Sequence, residues 1–154
     1  MGLFVIVIAA LAASREYSRR VRKRVCECER FLEFIRHIRI QVGCFMRPPS
    51  ELGCGFSGRE IEGFVGRIAT DGILTAYENA EPTFSLSVDE RDALRELFSS
   101  LGSGYLDDEL KRIDSTCEKF EKLYNELKER ASKDVKLASV LSATAALGVF
   151  IIII

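Results

Sequence analysis

The fold is decided by residues 105–131, which read YLDDELKRIDSTCEKFEKLYNELKERA. Apolar side chains recur in this stretch at alternating steps of four and three, and no glycine or proline follows until Gly148. That spacing places one apolar stripe along an α-helix. A helix from Tyr105 to Lys136 is about 48 Å long, at about 1.5 Å per residue. The stripe consists of Leu106, Leu110, Ile113, Cys117, Phe120, Tyr124, Leu127 and Ala131.

A second stripe of the same kind predicts a first long helix from about Ser14 to Val42. Its members are Val21, Val25, Cys28, Leu32, Ile35, Ile38 and Val42. The run Arg47-Pro48-Pro49 ends it, because proline lacks an amide hydrogen and forces its predecessor out of helical geometry. We expect the two long helices to pack as an antiparallel stalk, with Leu110, Ile113, Phe120 and Leu127 against Val25, Leu32 and Ile35.

The sequence between the two long helices predicts several short helices. Ser57 to Glu60 and Ser87 to Glu90 both read as capping boxes, in which serine and glutamate satisfy the first free amides of a helix. The first would open a helix that buries Ile61, Phe64, Val65 and Ile68 and closes at Gly72. A shorter helix follows at Ile73–Ala80, and the second box opens one that buries Leu94, Leu97, Phe98 and Leu101. No segment alternates as a strand does, so the predicted fold is an all-α helical bundle.

Both ends of the chain are apolar. Residues 137–154 carry no charge over eighteen positions, which predicts a C-terminal transmembrane helix. Residues 1–14 form a shorter apolar segment, followed by arginines from Arg15 onward. Since Lys and Arg stay on the cytoplasmic side, we expect both ends to point outward and residues 15–136 to form a cytoplasmic helical bundle domain.

The composition excludes several classes of protein. Residues 15–47 hold ten Lys/Arg against four Asp/Glu, and residues 48–136 twelve against nineteen, which with no charge elsewhere gives the net charge of −1. The basic part lacks the interleaved aromatics of a nucleic-acid surface. The five cysteines show neither a disulfide framework nor zinc-finger spacing, and Cys28 and Cys117 lie on apolar stripes as small core residues.

No catalytic constellation is apparent. The single histidine, His37, has no partner of the kind that acid–base chemistry needs, so a solvated or capping role is favoured. The acids Asp107, Asp108 and Glu109 suit the dipole of a helix N-terminus better than a metal. We therefore predict a protein that is not an enzyme, with no catalytic, cofactor-binding or metal-binding residues and no small-molecule substrate.

The whole organisation resembles the stage III sporulation protein AB family of endospore-forming bacteria. The likeness lies in the basic residues after a short apolar start, in FLEFI at 31–35 and in PPSEL at 48–52. It continues through residues 64–80, Leu101-Gly102, and KLA at 136–138 leading to LGV at 147–149. In place of a glutamine expected in the first turn of the long helix, this chain has Asp107, Asp108 and Glu109.

The family is similar to the inner-membrane platform proteins of type II secretion and type IV pilus machines. The resemblance implies a place in the mother-cell membrane around the forespore, within a secretion-like channel complex. Other stage III sporulation proteins, in particular a cytoplasmic ATPase, are the implied partners. The leading hypothesis is a non-enzymatic platform subunit that docks this ATPase. The alternative is a generic membrane-anchored helical scaffold or sensor that dimerises through the stripe from Leu106 to Ala131, and an enzyme built on scattered carboxylates ranks third.

Overall fold

The computed structural model describes the backbone of residues 2–153 and the side chains of residues 12–13, 15–134, 136 and 137. Residues 2–153 contain helices and turns and no strand, so the all-α prediction is confirmed. Short 3-10 turns lie at Pro49–Glu51 and Glu81–Thr83. The helices are α1 (Gly2–Phe45), α2 (Glu62–Val65), α3 (Ile68–Asp71), α4 (Ile73–Ala80), α5 (Val88–Ser100) and α6 (Leu106–Ile153).

The two long helices, α1 and α6, lie side by side in antiparallel orientation, as the sequence predicts. The Tyr17 hydroxyl donates to Asp134 at 3.0 Å near one end of the pair. Arg39 pairs with Asp114 nearer the other end, where Gly43 packs against the Leu110 side chain. The helices have 44 and 48 residues, longer than the periodic stripes alone indicate, because each continues through its apolar end.

The predicted stripes meet in the core. Cys28, Ile113 and Phe120 are fully buried, and Leu127 is 9 % exposed. Helix α1 thus covers the central part of the α6 stripe within the chain, and Leu106, Leu110, Cys117, Tyr124 and Ala131 are half-buried. The short helices add an aromatic cluster over α1, in which neighbouring ring centres lie 5.0–6.3 Å apart; its members are Phe31, Phe34, Phe56, Phe64, Tyr77, Phe84 and Phe98.

The predicted helix opened by Ser57 is wrong in its start and its continuity. Ser57 caps nothing, and two four-residue helices, α2 and α3, replace the single helix. The Glu60 carboxylate accepts a hydrogen bond from Arg30 at 3.0 Å instead of reaching back to Ser57. Gly63 and Gly66 within the same stretch further weaken a continuous helix. The predicted inward residues Ile61, Phe64 and Ile68 are nevertheless buried.

The predicted bounds of α4 and the predicted start of α5 are confirmed, whereas α1 begins before Ser14 and α6 continues beyond Lys136. The Ser87–Glu90 capping box forms in both directions at the start of α5, and α4 has the predicted bounds. Gly72 ends α3 with a φ of 81°, and Gly102 lies in the loop between α5 and α6 with a φ of 79°, values that glycine adopts without strain. Helix α1 ends at Phe45, where Met46 takes a φ of 50° before the two prolines.

Within the residues whose side chains are described, no helical stretch is both long and apolar enough to cross a membrane. The predicted membrane segments, residues 1–14 and 137–154, lie outside those residues except at positions 12, 13 and 137.

Candidate docking surface

The end of the stalk opposite both chain termini carries exposed apolar side chains. We call this end the distal tip and define it as Phe45, Met46, Tyr105, Asp107 and Asp108. Phe45 is 62 % exposed, Met46 75 % and Tyr105 86 %. The antiparallel register places the end of α1 beside the start of α6, so these side chains lie at one end of the molecule. Exposed apolar groups gathered with charged neighbours are typical of a protein–protein contact.

The loop before α6 is held in place by two local features. A Cβ added at Gly102 would lie 2.8 Å from the Pro49 ring, so this loop packs directly on the proline turn after α1. The Gly102 N–H also donates to the Glu109 carboxylate at 2.6 Å. The sequence therefore builds the tip on a rigid support, in which the proline turn and the glycine loop brace each other.

The three acids in the first turn of α6 have different roles. Glu109 is half-buried and accepts the Gly102 hydrogen bond, so its carboxylate is committed to the loop. Asp107 and Asp108 are exposed, and the nearest cation to Asp108 is Lys111 at 3.9 Å, itself 80 % exposed. A pair this exposed contributes little to stability. Two carboxylates are thus available to a partner beside the apolar side chains of the tip.

His37 serves the loop that follows α1. Its Nε2 lies 3.2 Å from the carbonyl oxygen of Cys54, and its ring packs near Phe34 and Phe56. This contact matches the predicted capping role, since it satisfies a loop carbonyl. Among the described side chains, no group of three or more His, Cys, Asp or Glu residues is placed to hold a metal ion.

The cysteines are free thiols in three environments. Cys26, Cys44 and Cys54 are exposed, Cys117 is half-buried, and Cys28 is fully buried. Burial raises the pKa of the Cys28 thiol, and the nearby Glu90 carboxylate raises it further. Burial also raises the pKa of Cys117. The stripe cysteines are therefore core residues, as predicted.

Sequence reasoning missed two buried carboxylates. Glu27 is 2 % exposed and accepts a hydrogen bond from the Ser85 N–H at 2.6 Å. Glu90 is 1 % exposed and accepts from both Arg24 Nη2 at 2.8 Å and Arg24 Nε at 3.1 Å. Hydrogen bonding to Glu90 raises the pKa of Arg24. The only sequence signal was the capping box, which placed Glu90 at a helix start without revealing its partner on α1.

The similarity of the chain to known proteins is at the level of a family model. No curated protein and no solved structure matches the chain. The family model described as stage III sporulation protein AB matches residues 1–154, all of this sequence. The paired long helices, the short helices between them and this full-length match lead to one conclusion: the chain belongs to the stage III sporulation protein AB family.

Proposed function

We propose that the protein is a non-enzymatic platform subunit, anchored in a membrane by its apolar ends, whose distal tip docks a cytoplasmic ATPase. Membership of the family gives the chain a role in sporulation, in an endospore-forming bacterium. It also points to other stage III sporulation proteins as partners. The platform role, the secretion-like channel and the ATPase are the parts that we propose.

One observation carries the proposal. The exposed apolar and acidic side chains of the distal tip lie at the opposite end of the stalk from both apolar chain ends. From Leu106 to Lys136, α6 covers about 45 Å at about 1.5 Å per residue. With the apolar ends in the mother-cell membrane around the forespore, the tip projects into the cytoplasm, where a soluble motor can reach it. A membrane-distal contact of this kind suits a subunit that links a channel to its ATPase.

The orientation follows from the charges beside the apolar ends. Arg15 and the basic residues after it follow the first apolar segment, and Lys133 and Lys136 precede the second. Positive residues remain on the cytoplasmic side of a membrane. Both chain ends therefore point away from the cytoplasm, and residues 15–136 form the cytoplasmic domain.

The docking proposal is tested by reversing the free charges of the tip. We expect the full-length Asp107→Lys/Asp108→Lys variant, purified in neutral detergent, to bind the ATPase of the same complex more slowly. Electrostatic steering changes association rates by about tenfold or more at low ionic strength. The loss should appear in the association rate and shrink as salt is raised, because screening removes it.

A matched control uses the same helix away from the tip. Glu118 and Glu126 are exposed acids on α6, so Glu118→Lys/Glu126→Lys changes the net charge equally. Circular dichroism should show the same helicity in both variants. Equal association rates for the tip variant and the wild type, with helicity intact, would remove the tip from the proposal. A wild-type chain that never binds the ATPase would refute the docking function itself.

A further inference from the structure

We propose that a collar of basic residues at the membrane-proximal end of the stalk binds the headgroups of anionic phospholipids. The protein would then prefer membranes rich in phosphatidylglycerol over zwitterionic ones. This inference rests on the proposed membrane anchoring. We call these residues the basic collar: Arg15, Arg19, Arg20 and Arg22 of α1, and Arg130, Lys133 and Lys136 of α6.

Helices α1 and α6 carry the collar residues at the same height along the stalk. Tyr17 of α1 and Asp134 of α6 are joined by a hydrogen bond of 3.0 Å in the middle of the basic residues. Arg22 lies about 10 Å along the helix axis from Arg15, and Arg130 lies about 9 Å from Lys136, at about 1.5 Å per residue. These distances are close to the screening length of about 8 Å in physiological salt. The whole collar is therefore within electrostatic reach of a surface placed at the start of the apolar ends.

The collar cations differ from the other arginines of α1 in having few acidic partners. Farther along the helix, Arg24, Arg30, Arg36 and Arg39 all pair with carboxylates of other helices or loops. No described acidic side chain lies within 4.0 Å of five collar residues, which are Arg15, Arg19, Arg22, Arg130 and Lys136. All five are exposed. Their charges are thus left for a partner outside the chain.

The two collar residues that do pair remain accessible. Arg20 and Glu16 lie 3.3 Å apart and are 77 % and 57 % exposed. Lys133 and Glu129 lie 2.8 Å apart and are 68 % and 69 % exposed. Exposed pairs of this kind contribute little stability, so an anionic surface can compete for both cations.

The spacing on α1 also favours a surface ligand. Arg15, Arg19 and Arg22 follow one another at steps of four and three, which places them on one face of the helix. Guanidinium groups donate paired hydrogen bonds to phosphate oxygens. Because the collar directly adjoins both apolar ends, an anionic membrane surface fits it better than an acidic protein would. Each basic residue near such a surface strengthens binding by about fivefold.

The test compares lipid preference in matched variants of the full-length protein in neutral detergent. We would titrate fluorescent phosphatidylglycerol and phosphatidylcholine and record the ratio of their affinities. The wild type should prefer phosphatidylglycerol by about tenfold or more, and Arg15→Gln/Arg19→Gln/Arg22→Gln should lose most of that preference. The control, Arg59→Gln/Arg67→Gln/Lys122→Gln, removes three exposed charges from the domain and should keep the preference.

Several outcomes would overturn the inference. These are equal affinities of the wild type for the two lipids, an equal loss in the control, or competition by millimolar inorganic phosphate as effective as that by the lipid. An unchanged lipid preference together with lost ATPase binding in the collar variant would assign the collar to a protein partner instead.

Flotation separates this inference from the anchoring on which it rests. The wild type should float with vesicles of pure phosphatidylcholine and resist extraction by high salt, because its apolar ends insert in any bilayer. Failure to float would refute the anchoring. Flotation without preference for phosphatidylglycerol would refute the collar alone.

Discussion

Removing the Glu90 side chain should weaken the packing of α5 against α1. The Glu90 side chain is buried, and its carboxylate accepts three hydrogen bonds, two from Arg24 and one from the Ser87 N–H at 2.7 Å. Loss of one partner of a buried ion pair typically lowers the free energy of unfolding by about 3–5 kcal/mol. The Arg24 side chain is 33 % exposed and can turn partly toward water, so we place Glu90→Ala at about 3 kcal/mol.

Glu90→Ala also removes the hydrogen bond from the Ser87 N–H, whereas the Ser87 hydroxyl still caps the Glu90 N–H. Loss of that one bond adds about 1 kcal/mol, which brings the total for Glu90→Ala to about 4 kcal/mol. Asp89→Ala is the matched control, because Asp89 lies in the same first turn but is exposed. Asp89→Ala should lower the free energy of unfolding by less than about 1 kcal/mol, because it removes only a favourable interaction with the helix dipole.

The assay is urea denaturation of the full-length protein in neutral detergent, followed by circular dichroism. A double-mutant cycle with Arg24→Met should give a coupling energy of about 1–3 kcal/mol, since the two side chains share their hydrogen bonds. The coupling should change little with salt because the pair is buried. If Glu90→Ala and Asp89→Ala shifted the midpoint equally, the buried pair would not link the helices as described.

Three further changes test the core and the tip. Phe120→Ala, at a fully buried position of α6, should lower the free energy of unfolding by about 3–5 kcal/mol, and an unchanged thermal melt would show that this side chain is exposed. Gly102→Ala should lower the free energy of unfolding by about 1–3 kcal/mol, because Gly102 has a φ of 79° and its new Cβ would meet Pro49. A melting temperature equal to that of the wild type would contradict this loop geometry. Stability should also fall as the pH rises above about 9, because burial raises the pKa of Cys28 and of Tyr77. The unfolded chain then releases protons that the folded chain retains, which removes up to about 1.4 kcal/mol per pH unit for each group. In Cys28→Ala, stability should fall less steeply just above about pH 9. A wild-type melting temperature that stays constant up to about pH 11 would show that these two groups are not held protonated by burial.

Much of the fold is readable from local patterns. The alternation of four and three from Leu106 to Ala131 determined α6, because only a helix gathers such positions on one face. The Ser87–Glu90 box and Gly72 marked helix ends correctly, since their effects act within a few residues. The Ser57 box does not form, and the Glu60 carboxylate pairs instead with Arg30, which lies far away in the chain. Such a long-range contact cannot be read from a local pattern.

The distal tip and the basic collar are also only partly readable from the sequence. The basic residues beside the apolar ends and the acids of Asp107 and Asp108 are visible in the sequence, and so is the likeness to the family. Their availability is not visible, because it depends on which side chains other helices cover or neutralise. Local patterns in the sequence are enough to identify the two long helices, α4, α5, their apolar faces and the family. The burial of Glu90 against Arg24, and the lack of a described acidic partner for Arg15, are visible only in the folded chain, because both depend on contacts between residues distant in sequence.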